Sequence, residues 1–262
     1  MRIIRACIVA VVVLSCWLAW NTSSKVALAA PAEIYWTYQD LTGPAHWADL
    51  DPSFATCTSG QAQSPIDLTA AESVDLINPD FHYKSVPLNL LNNGHTIQVP
   101  YAPGSYVMID GERYNLLQFH FHSPSEHAIE SKVQPAELHL VHQNDAGELA
   151  VVAVLLQNDE SIGEPSLGYK ELGQVLPAKA GDKVRTEKTI NAQDLLPETT
   201  TTYRYSGSLT TPPCTESVSW LVMAEPVSLP AAQILQYEQL LNHNNRPIQS
   251  LNRRRVQMDL SS

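Results

Sequence analysis

Two histidines separated by one residue are the first feature of the sequence that could carry out chemistry. His120 and His122 lie in the run Gln118-Phe119-His120-Phe121-His122. In a strand, alternate side chains point to one face, so both imidazoles would share a face and both phenyl rings the other. A spacing of about 6–7 Å along the strand lets the two imidazoles reach one metal ion. The alternative is a pair of ordinary surface or buried histidines.

A second segment offers a third ligand. In the run from Glu137 to His142, strand alternation places Glu137, His139 and Val141 on one face and His142 on the other. His139 is therefore the predicted third ligand, and His142 is a structural histidine. Three imidazoles with one open coordination position are typical of a catalytic zinc site. Because these ligands are neutral, the ion keeps its full charge and strongly acidifies a bound water.

Two polar side chains on the same faces could orient the ligands. Gln118 precedes His120 by two positions, and Glu137 precedes His139 by two. Each could accept a hydrogen bond from the ring N–H of its ligand, which fixes the tautomer and raises the basicity of the ring. Alternatively, both are solvent-facing polar residues on a half-exposed strand.

The elements that must position these residues are mainly strands. The run Asp110-Gly111 between two of them predicts a hairpin, and residues 231–242 carry apolar side chains at helical spacing. No repeat or low-complexity linker interrupts residues 31–262, so we expect one β-dominated domain. Six predicted strands combine β-branched or aromatic residues with short alternation and cover Ile97–Val99, Tyr106–Ile109, Leu116–His122, Ala136–His142, Leu149–Leu156 and Val218–Met223.

Composition excludes several classes of protein. The 262 residues include 16 Lys and Arg against 27 Asp and Glu, a formal net charge of −11. So few basic residues argue against a nucleic-acid-binding protein. Sparse charge, at 16% of residues, and 18 scattered prolines argue against a coiled coil or a simple helical bundle.

Residues 1–29 have the pattern of a secretory signal peptide. A positive start at Arg2 and Arg5 precedes an apolar run from residue 6 to residue 20, and Ala27-Leu28-Ala29 supplies small residues for cleavage near Ala29. The alternatives are a retained membrane anchor or a lipoprotein signal ending at Cys16. Cleavage would leave residues 30–262 as the mature chain, periplasmic or extracellular and without a membrane segment. Loss of Arg2, Arg5 and Lys25 would take the net charge from −11 to −14.

The mature chain would contain two cysteines, Cys57 and Cys214. An even pair in an exported protein indicates a disulfide. Two free buried thiols are the alternative.

Nine short motifs follow one another along the mature chain: Trp36–Tyr38, Gly43–Trp47, Gln63–Asp67, Asn92–His95, Gln118–His122, Ser125–His127, Ala136–His142, Ser208–Pro213 and Asn252-Arg253. In this order they resemble the α-class carbonic anhydrases. The run Ser-Pro-Ser-Glu-His after His122 resembles the bacterial and plant branches of that family more than the vertebrate enzymes, which usually have tryptophan after the second ligand.

The resemblance implies a single domain, residues 30–262, of the mainly β (α+β) class. It would have a large, twisted, mostly antiparallel sheet, a few short peripheral helices and Zn²⁺ at the floor of a conical cleft. The implied activity is reversible hydration of carbon dioxide to bicarbonate and a proton, by attack of zinc-bound hydroxide. Inhibition by sulfonamides and anions is implied as well. A non-catalytic binding module on the same fold and a zinc esterase are the alternatives.

The resemblance also assigns residues to roles. It makes His120, His122 and His139 the zinc ligands, in agreement with strand alternation, and places Asn252 with Gln118 and Glu137 around them. His95 matches the proton shuttle, Thr210 accepts a hydrogen bond from the zinc hydroxide and donates one to Glu126, and Thr211 helps to hold bicarbonate. The remaining assignments are an apolar wall for carbon dioxide from Val141, Val151, Leu209, Val218 and Trp220, a water path along Tyr38, Asn93 and Gln98, packing roles for His46, His127 and His142, and a disulfide between Cys57 and Cys214.

Overall fold

The computed structural model describes residues 34–69 and 71–259. The predicted signal peptide at residues 1–29 lies outside the described residues. Within them, no helix combines the length and the apolar character that crossing a membrane requires.

Strands dominate the described chain, as expected for the mainly β class. All six predicted strands are present, most of them one to four residues longer than predicted. The strands are β1 (Glu72–Val74), β2 (Asp80–His82), β3 (Val86–Asn92), β4 (Ile97–Pro100), β5 (Tyr106–Ile109), β6 (Glu112–His122), β7 (Ala128–Ile129), β8 (Lys132–Val133), β9 (Ala136–Gln143), β10 (Leu149–Asn158), β11 (Lys183–Ile190), β12 (Thr202–Ser208), β13 (Glu216–Met223), β14 (Val227–Leu229) and β15 (Gln257–Asp259).

Thirteen of these strands form one mixed sheet. Its main path runs β1-β15-β12-β13-β10-β9-β6-β4-β3-β11, with β14 paired to β10 and with β2 and β5 leading to β6. The pairs β1·β15, β10·β13 and β10·β14 are parallel and the others antiparallel, which confirms the predicted mostly antiparallel sheet. The β5–β6 hairpin is also confirmed: Asp110 and Gly111 have φ of 50° and 85°, as a turn with two left-handed residues requires.

Helices are short and peripheral. The predicted helix over residues 231–242 is one residue shorter in the structure. Asn242 follows its last residue and ends it with a left-handed φ of 48°. The α-helices are α1 (Trp47–Leu50), α2 (Thr56–Ser59), α3 (Leu167–Gly173) and α4 (Ala231–Leu241), and the 3₁₀ helices are Asp40–Thr42, Pro52–Phe54 and Ala192–Leu195.

The two faces of the central strands pack differently. Phe119 and Phe121 of β6 are fully buried in the larger core, where Phe121 stacks on Tyr237 of α4 with ring centroids 4.9 Å apart. On the other face, Val151 and Trp220 of β10 and β13 belong to a second apolar cluster. The three predicted ligands lie on this second face, so the alternation of β6 separates the packing residues from the chemical ones.

A disulfide joins the N-terminal region to the segment before β13. Cys57 of α2 and Cys214 are bonded with an S–S distance of 2.08 Å, so the predicted disulfide is confirmed. The bond packs in a third apolar cluster with Trp47 and Phe54.

Candidate metal centre

Neighbouring strands bring three histidines to one point. In the antiparallel β6–β9 pair, His120 lies directly opposite His139, and His122 opposite Glu137. The ring of His120 lies 5.0 Å from that of His122 and 5.3 Å from that of His139, and the rings of His122 and His139 are 4.6 Å apart. One nitrogen from each ring lies within 4.8 Å of the others. This is a cluster that can hold a metal ion.

Hydrogen bonds on the outer side of each ring determine which nitrogen faces the cluster. Nδ1 of His120 is hydrogen-bonded to Gln118 Oε1 at 3.0 Å, and Nδ1 of His122 to the carbonyl of Asn244 at 2.7 Å. Nε2 of His139 is hydrogen-bonded to Glu137 Oε1 at 2.8 Å. Each outer nitrogen donates to an oxygen acceptor, so the inner nitrogen of each neutral ring carries a lone pair. The inner atoms are Nε2 of His120, Nε2 of His122 and Nδ1 of His139.

These atoms fit a zinc ion. Nε2 of His122 is buried and has no hydrogen-bond partner, a costly state that a metal bond would relieve. Burial lowers the pKa of His122 to about 4, and together with the neighbouring histidines it holds the pKa of His120 well below the usual value. Burial lowers the pKa of His139 too. Three neutral imidazoles are a suitable donor set for Zn²⁺, with a fourth position left open.

The prediction that Asn252 lies behind the metal ligands is wrong. Asn252 is exposed and donates its side-chain amide to the carbonyl of Gln61 at 2.7 Å. The acceptor for His122 is instead the main chain of Asn244, in the irregular segment after α4. Because a backbone carbonyl carries no residue-type signature, no motif in the sequence could identify this partner. Gln118 and Glu137 occupy the positions predicted for them.

Glu137 connects the cluster to the segment that follows β6. Besides His139, its carboxylate accepts from His127 Nδ1 at 2.6 Å and from the backbone amides of Glu126 and His127 at 2.7 and 2.8 Å. The other ring nitrogen of His127 bonds to the hydroxyl of Tyr205 at 2.6 Å. His127, Glu137 and His139 could form another metal-binding group, but these bonds already satisfy His127 and Glu137. His127, predicted as a packing residue, thus also has a polar role.

A second buried carboxylate, Glu126, borders the histidine cluster. Its Oε2 lies 3.6 Å from Nε2 of His122 and 3.9 Å from Nδ1 of His139, and its Oε1 accepts from the backbone N–H of Arg246 at 2.8 Å. Burial raises the pKa of Glu126 to about 7, while interactions with His139, the Arg246 amide and the nearby Thr210 side chain act in the lowering direction. Its Oε2 is buried and has no hydrogen-bond partner among the described residues. The structure therefore brings Thr210, Glu126 and the histidines together.

Comparison with known proteins decides the family. The family model for eukaryotic-type carbonic anhydrase matches residues 42–260. The chain belongs to the α-carbonic anhydrase family.

Individual carbonic anhydrases are similar over most of their length. The carbonic anhydrase of Nostoc sp. is 41% identical over 245 residues, which cover 90% of this chain and 91% of the relative. The solved structure of the α-carbonic anhydrase from Thermovibrio ammonificans in complex with sulfanilamide matches with a TM-score of 0.82 at 40% identity, covering 86% of this chain and 99% of that one. Carbonic anhydrase Cah3 from Chlamydomonas reinhardtii, in complex with acetazolamide, matches with a TM-score of 0.75 at 36% identity, covering 86% and 100% of the two chains.

The five residues predicted to form an apolar wall in this carbonic anhydrase lie in or against the second apolar cluster, in which Val151, Val218 and Trp220 are buried. Val151 lies opposite Val141 on β9 and beside Trp220 on β13. The ring of Trp220 lies 4.9 Å from that of His139, so the wall begins beside the histidines. Contact of the wall with carbon dioxide stays a prediction.

The turn before β13 holds Thr210 and Thr211. The backbone amide of Leu209 donates to the carbonyl of Thr215 at 2.9 Å, and that of Cys214 to the carbonyl of Thr211 at 2.8 Å. Thr210 is buried and Thr211 half-buried. Trp220 Nε1 donates to the carbonyl of Ser208 at 3.0 Å, which ties the start of the turn to the sheet.

The predicted proton shuttle lies against an aromatic side chain. The ring of half-buried His95 stacks on Trp36 with centroids 3.7 Å apart and planes 5° apart. Its backbone N–H donates to Asn93 Oδ1 at 2.9 Å. Asn93 Nδ2 in turn donates to Gln98 Oε1 at 3.4 Å, so two of the three predicted water-path residues are in contact.

Tyr38, the third water-path residue, packs edge-on against Trp36 at 5.4 Å. Burial, together with the charge of Glu126, raises the pKa of Tyr38 well above the usual value. The phenol therefore stays protonated at neutral pH and lies within electrostatic reach of Glu126.

Proposed function

We propose that this carbonic anhydrase carries out zinc-dependent, reversible hydration of carbon dioxide to bicarbonate and a proton. The observation that carries the proposal is the convergence of three inner nitrogens whose outer nitrogens are all hydrogen-bonded. His120, His122 and His139 would hold the zinc. When bound, the ion supplies Lewis acidity that makes water a nucleophile near neutral pH.

Thr210 and Glu126 would select and orient the reacting oxygen. The Thr210 side chain lies close enough to Glu126 to act on its pKa. Its hydroxyl would donate to Oε2 of the carboxylate, which has no other hydrogen-bond partner among the described residues. The oxygen of Thr210 then offers only lone pairs to the open coordination position, because a hydroxyl can donate once while accepting elsewhere. Only a group with a proton to donate is accepted there, which orients it for attack.

The apolar wall and Thr211 would position the carbon species. Val141, Val151 and Trp220 offer a surface suited to a small, linear, uncharged substrate, with Leu209 and Val218 completing it. Bicarbonate is charged and forms hydrogen bonds, so the apolar surface disfavours it and Thr211 supplies a polar contact during its departure.

His95 would transfer the proton released in each turnover. A histidine is suited because its ordinary pKa lies near neutrality, so it can accept a proton and pass it to buffer. Asn93, Gln98 and Tyr38 would order the water between His95 and the cluster.

The presence of all three histidines favours a catalytic function over a non-catalytic binding module. An esterase would use the same cluster.

The disulfide supports an exported protein, since such bonds persist in oxidising compartments. By extension from the sulfanilamide and acetazolamide complexes of the two similar structures, we expect sulfonamides, and also small anions, to compete for the open position.

Stopped-flow measurement of carbon dioxide hydration, combined with metal analysis, tests the proposal. Activity should be lost on chelation and return with zinc. His139→Ala should lose both zinc and activity, whereas His142→Ala, on the same strand but the opposite face, should keep stoichiometric zinc. Purified protein with stoichiometric zinc and no hydration activity would refute the function, and preference for a natural ester would favour the esterase.

A further inference from the structure

The segment 244–246 contacts two functional groups within three residues. The carbonyl of Asn244 accepts from Nδ1 of His122 at 2.7 Å, and the backbone N–H of Arg246 donates to Oε1 of Glu126 at 2.8 Å. The segment belongs to no helix or strand. Its position must therefore come from side-chain anchors.

Asn244 anchors the first end of the segment. Its side chain is buried, with Oδ1 accepting from the backbone amide of Ser123 at 2.9 Å. Its Nδ2 donates to the carbonyls of His95 and Phe121, both at 2.9 Å. These three bonds hold the carbonyl that supports His122.

Arg246 anchors the other end with a buried guanidinium. The residue is 2% exposed, and its Nη1 donates to Gln63 Oε1 at 2.8 Å and to the carbonyl of Ser64 at 2.9 Å. Its Nη2 donates to the carbonyl of Cys57 at 2.7 Å. No carboxylate of the described residues lies within ion-pair distance of this guanidinium. A buried cation whose hydrogen bonds all go to neutral acceptors is costly. The Trp47 ring, whose centroid lies 5.6 Å from the guanidinium carbon, offsets only part of that cost.

One acceptor of the guanidinium, Gln63, also bonds to residues close to Thr210. Gln63 Nε2 donates to the carbonyl of Cys214 at 3.1 Å and to Glu216 Oε1 at 2.9 Å. These two residues follow the turn that holds Thr210. Arg246 is therefore joined to Glu126 through its own amide, and to the Thr210 turn through Gln63.

We propose that the Arg246 guanidinium is a positioning residue for the Glu126–Thr210 pair. It fixes the distance between the amide that holds Glu126 and the disulfide-bonded turn that carries Thr210. A variant without the guanidinium still has the backbone N–H of residue 246, but nothing anchors that N–H beside Glu126. The Glu126 carboxylate then no longer directs the Thr210 hydroxyl. This inference rests on the proposed function, because Glu126 and Thr210 are assigned there.

A double-mutant cycle separates positioning from a purely structural role. Arg246→Met should lower kcat/KM for carbon dioxide hydration about tenfold, with the loss mainly in kcat, and Arg246→Lys should recover part of it. In a Glu126→Gln background, Arg246→Met should change kcat/KM by less than about twofold, since the group it positions is already lost. If Arg246→Met does not fold, Gln63→Met enters the same cycle.

Arg254→Met is the matched control. Arg254 also donates to three backbone carbonyls, those of Leu251, Ser206 and Ser250, and it makes no contact with Glu126. Its substitution should lower the melting temperature while leaving kcat/KM within about twofold in both backgrounds.

The rate of zinc release to a chelator provides a readout independent of activity. Asn244→Ala should accelerate release, whereas Arg246→Met should leave it within about twofold, because Asn244 keeps its own anchors. Two results would contradict the inference. One is that Arg246→Met lowers kcat/KM by the same factor in the Glu126→Gln background as in the wild type, and the other is that Asn244→Ala and Arg246→Met accelerate zinc release equally. A wild-type protein without hydration activity would refute the proposed function instead, and the zinc-release comparison would still test the separate anchoring of the two ends.

Discussion

At the scale of single residues, each candidate ligand depends on an acceptor that lies behind it. These acceptors differ in kind: Gln118 offers a neutral amide oxygen, Asn244 a backbone carbonyl and Glu137 a carboxylate. The carboxylate bond is charge-assisted and therefore the strongest of the three. Glu137 also receives three further hydrogen bonds, so its removal should disturb more of the site than removal of Gln118.

Substitution of these acceptors should lower zinc affinity to different extents. Glu137→Gln should weaken zinc binding by close to 100-fold and Gln118→Ala by about tenfold, within the range typical for groups behind metal ligands. A larger loss for Gln118→Ala would contradict the ranking. Chelator competition measures the affinities, with Glu148→Gln as a control at a carboxylate whose one hydrogen-bond partner among the described residues is Asn144.

Substitution of Thr210 should lower catalysis while leaving zinc in place. Thr210→Ala removes the hydroxyl that we propose to donate to Glu126 and to accept from the reacting oxygen, so kcat/KM should fall about 100-fold, as for loss of a preorganised polar group. Thr210→Ser should recover most of the activity, because the hydroxyl is restored. Stopped-flow kinetics at equal zinc content measures both, and a serine variant as poor as the alanine variant would argue against a role for the hydroxyl.

His95→Ala should slow turnover in a buffer-dependent way. Proton transfer to buffer is the step that we propose for His95, so kcat should fall in weak buffer and recover when imidazole is added. Equal losses in all buffers would assign His95 another role, such as packing on Trp36. His82→Ala provides a control at an exposed histidine that also stacks on an aromatic ring, Tyr106.

At the scale of elements, the alternation of strands made the cluster predictable. The period of two assigned His120, His122 and His139 to one face and His142 to the other without knowledge of the fold. The contacts from Asn244 and Arg246 could not be found in this way. They join positions 122 and 120 residues apart, come from an irregular segment without periodicity, and use backbone atoms common to every residue.

His142, on the core face of β9, should make stability depend on pH. Burial lowers its pKa to about 3, against about 6.5 in an unfolded chain. Between these values the unfolded chain binds a proton that the folded chain does not. This contribution to the free energy of unfolding is therefore full above pH 6.5 and is lost as the pH falls toward 3.

His142→Gln tests this titration, because glutamine stays neutral and can still bond to the Tyr83 hydroxyl that His142 Nε2 contacts at 2.8 Å. The difference in unfolding free energy, wild type minus variant, should be flat above pH 6.5 and decrease at lower pH by up to about 1.4 kcal/mol per pH unit. Urea titrations across this range measure the difference. A constant difference would show that His142 does not resist protonation in the folded state.

At the scale of the whole molecule, one covalent bond and one sheet hold together parts of the site that are far apart in sequence. The sheet aligns β6, β9, β10 and β13, which supply the histidines and four of the five residues of the predicted apolar wall. The Cys57–Cys214 disulfide spans a sequence separation of 157 residues and attaches the N-terminal aromatic cluster to the turn that holds Thr210. The cysteine pair was predictable from its number in an exported chain, whereas its position beside the guanidinium of Arg246 was not.

Removal of this disulfide should affect stability more than chemistry. Cys57→Ser combined with Cys214→Ser should lower the free energy of unfolding by about 2–4 kcal/mol, because the unfolded chain regains the freedom that a long closed loop removes. Catalysis should fall less, since the guanidinium of Arg246 still bonds to the carbonyls at positions 57 and 64. Urea unfolding with and without reductant measures the first effect: reductant should destabilise the wild type toward the value of the double variant and leave that variant unchanged. If the double variant unfolds at the wild-type urea concentration, the bond contributes nothing to stability, and the sheet alone holds the turn beside the histidines.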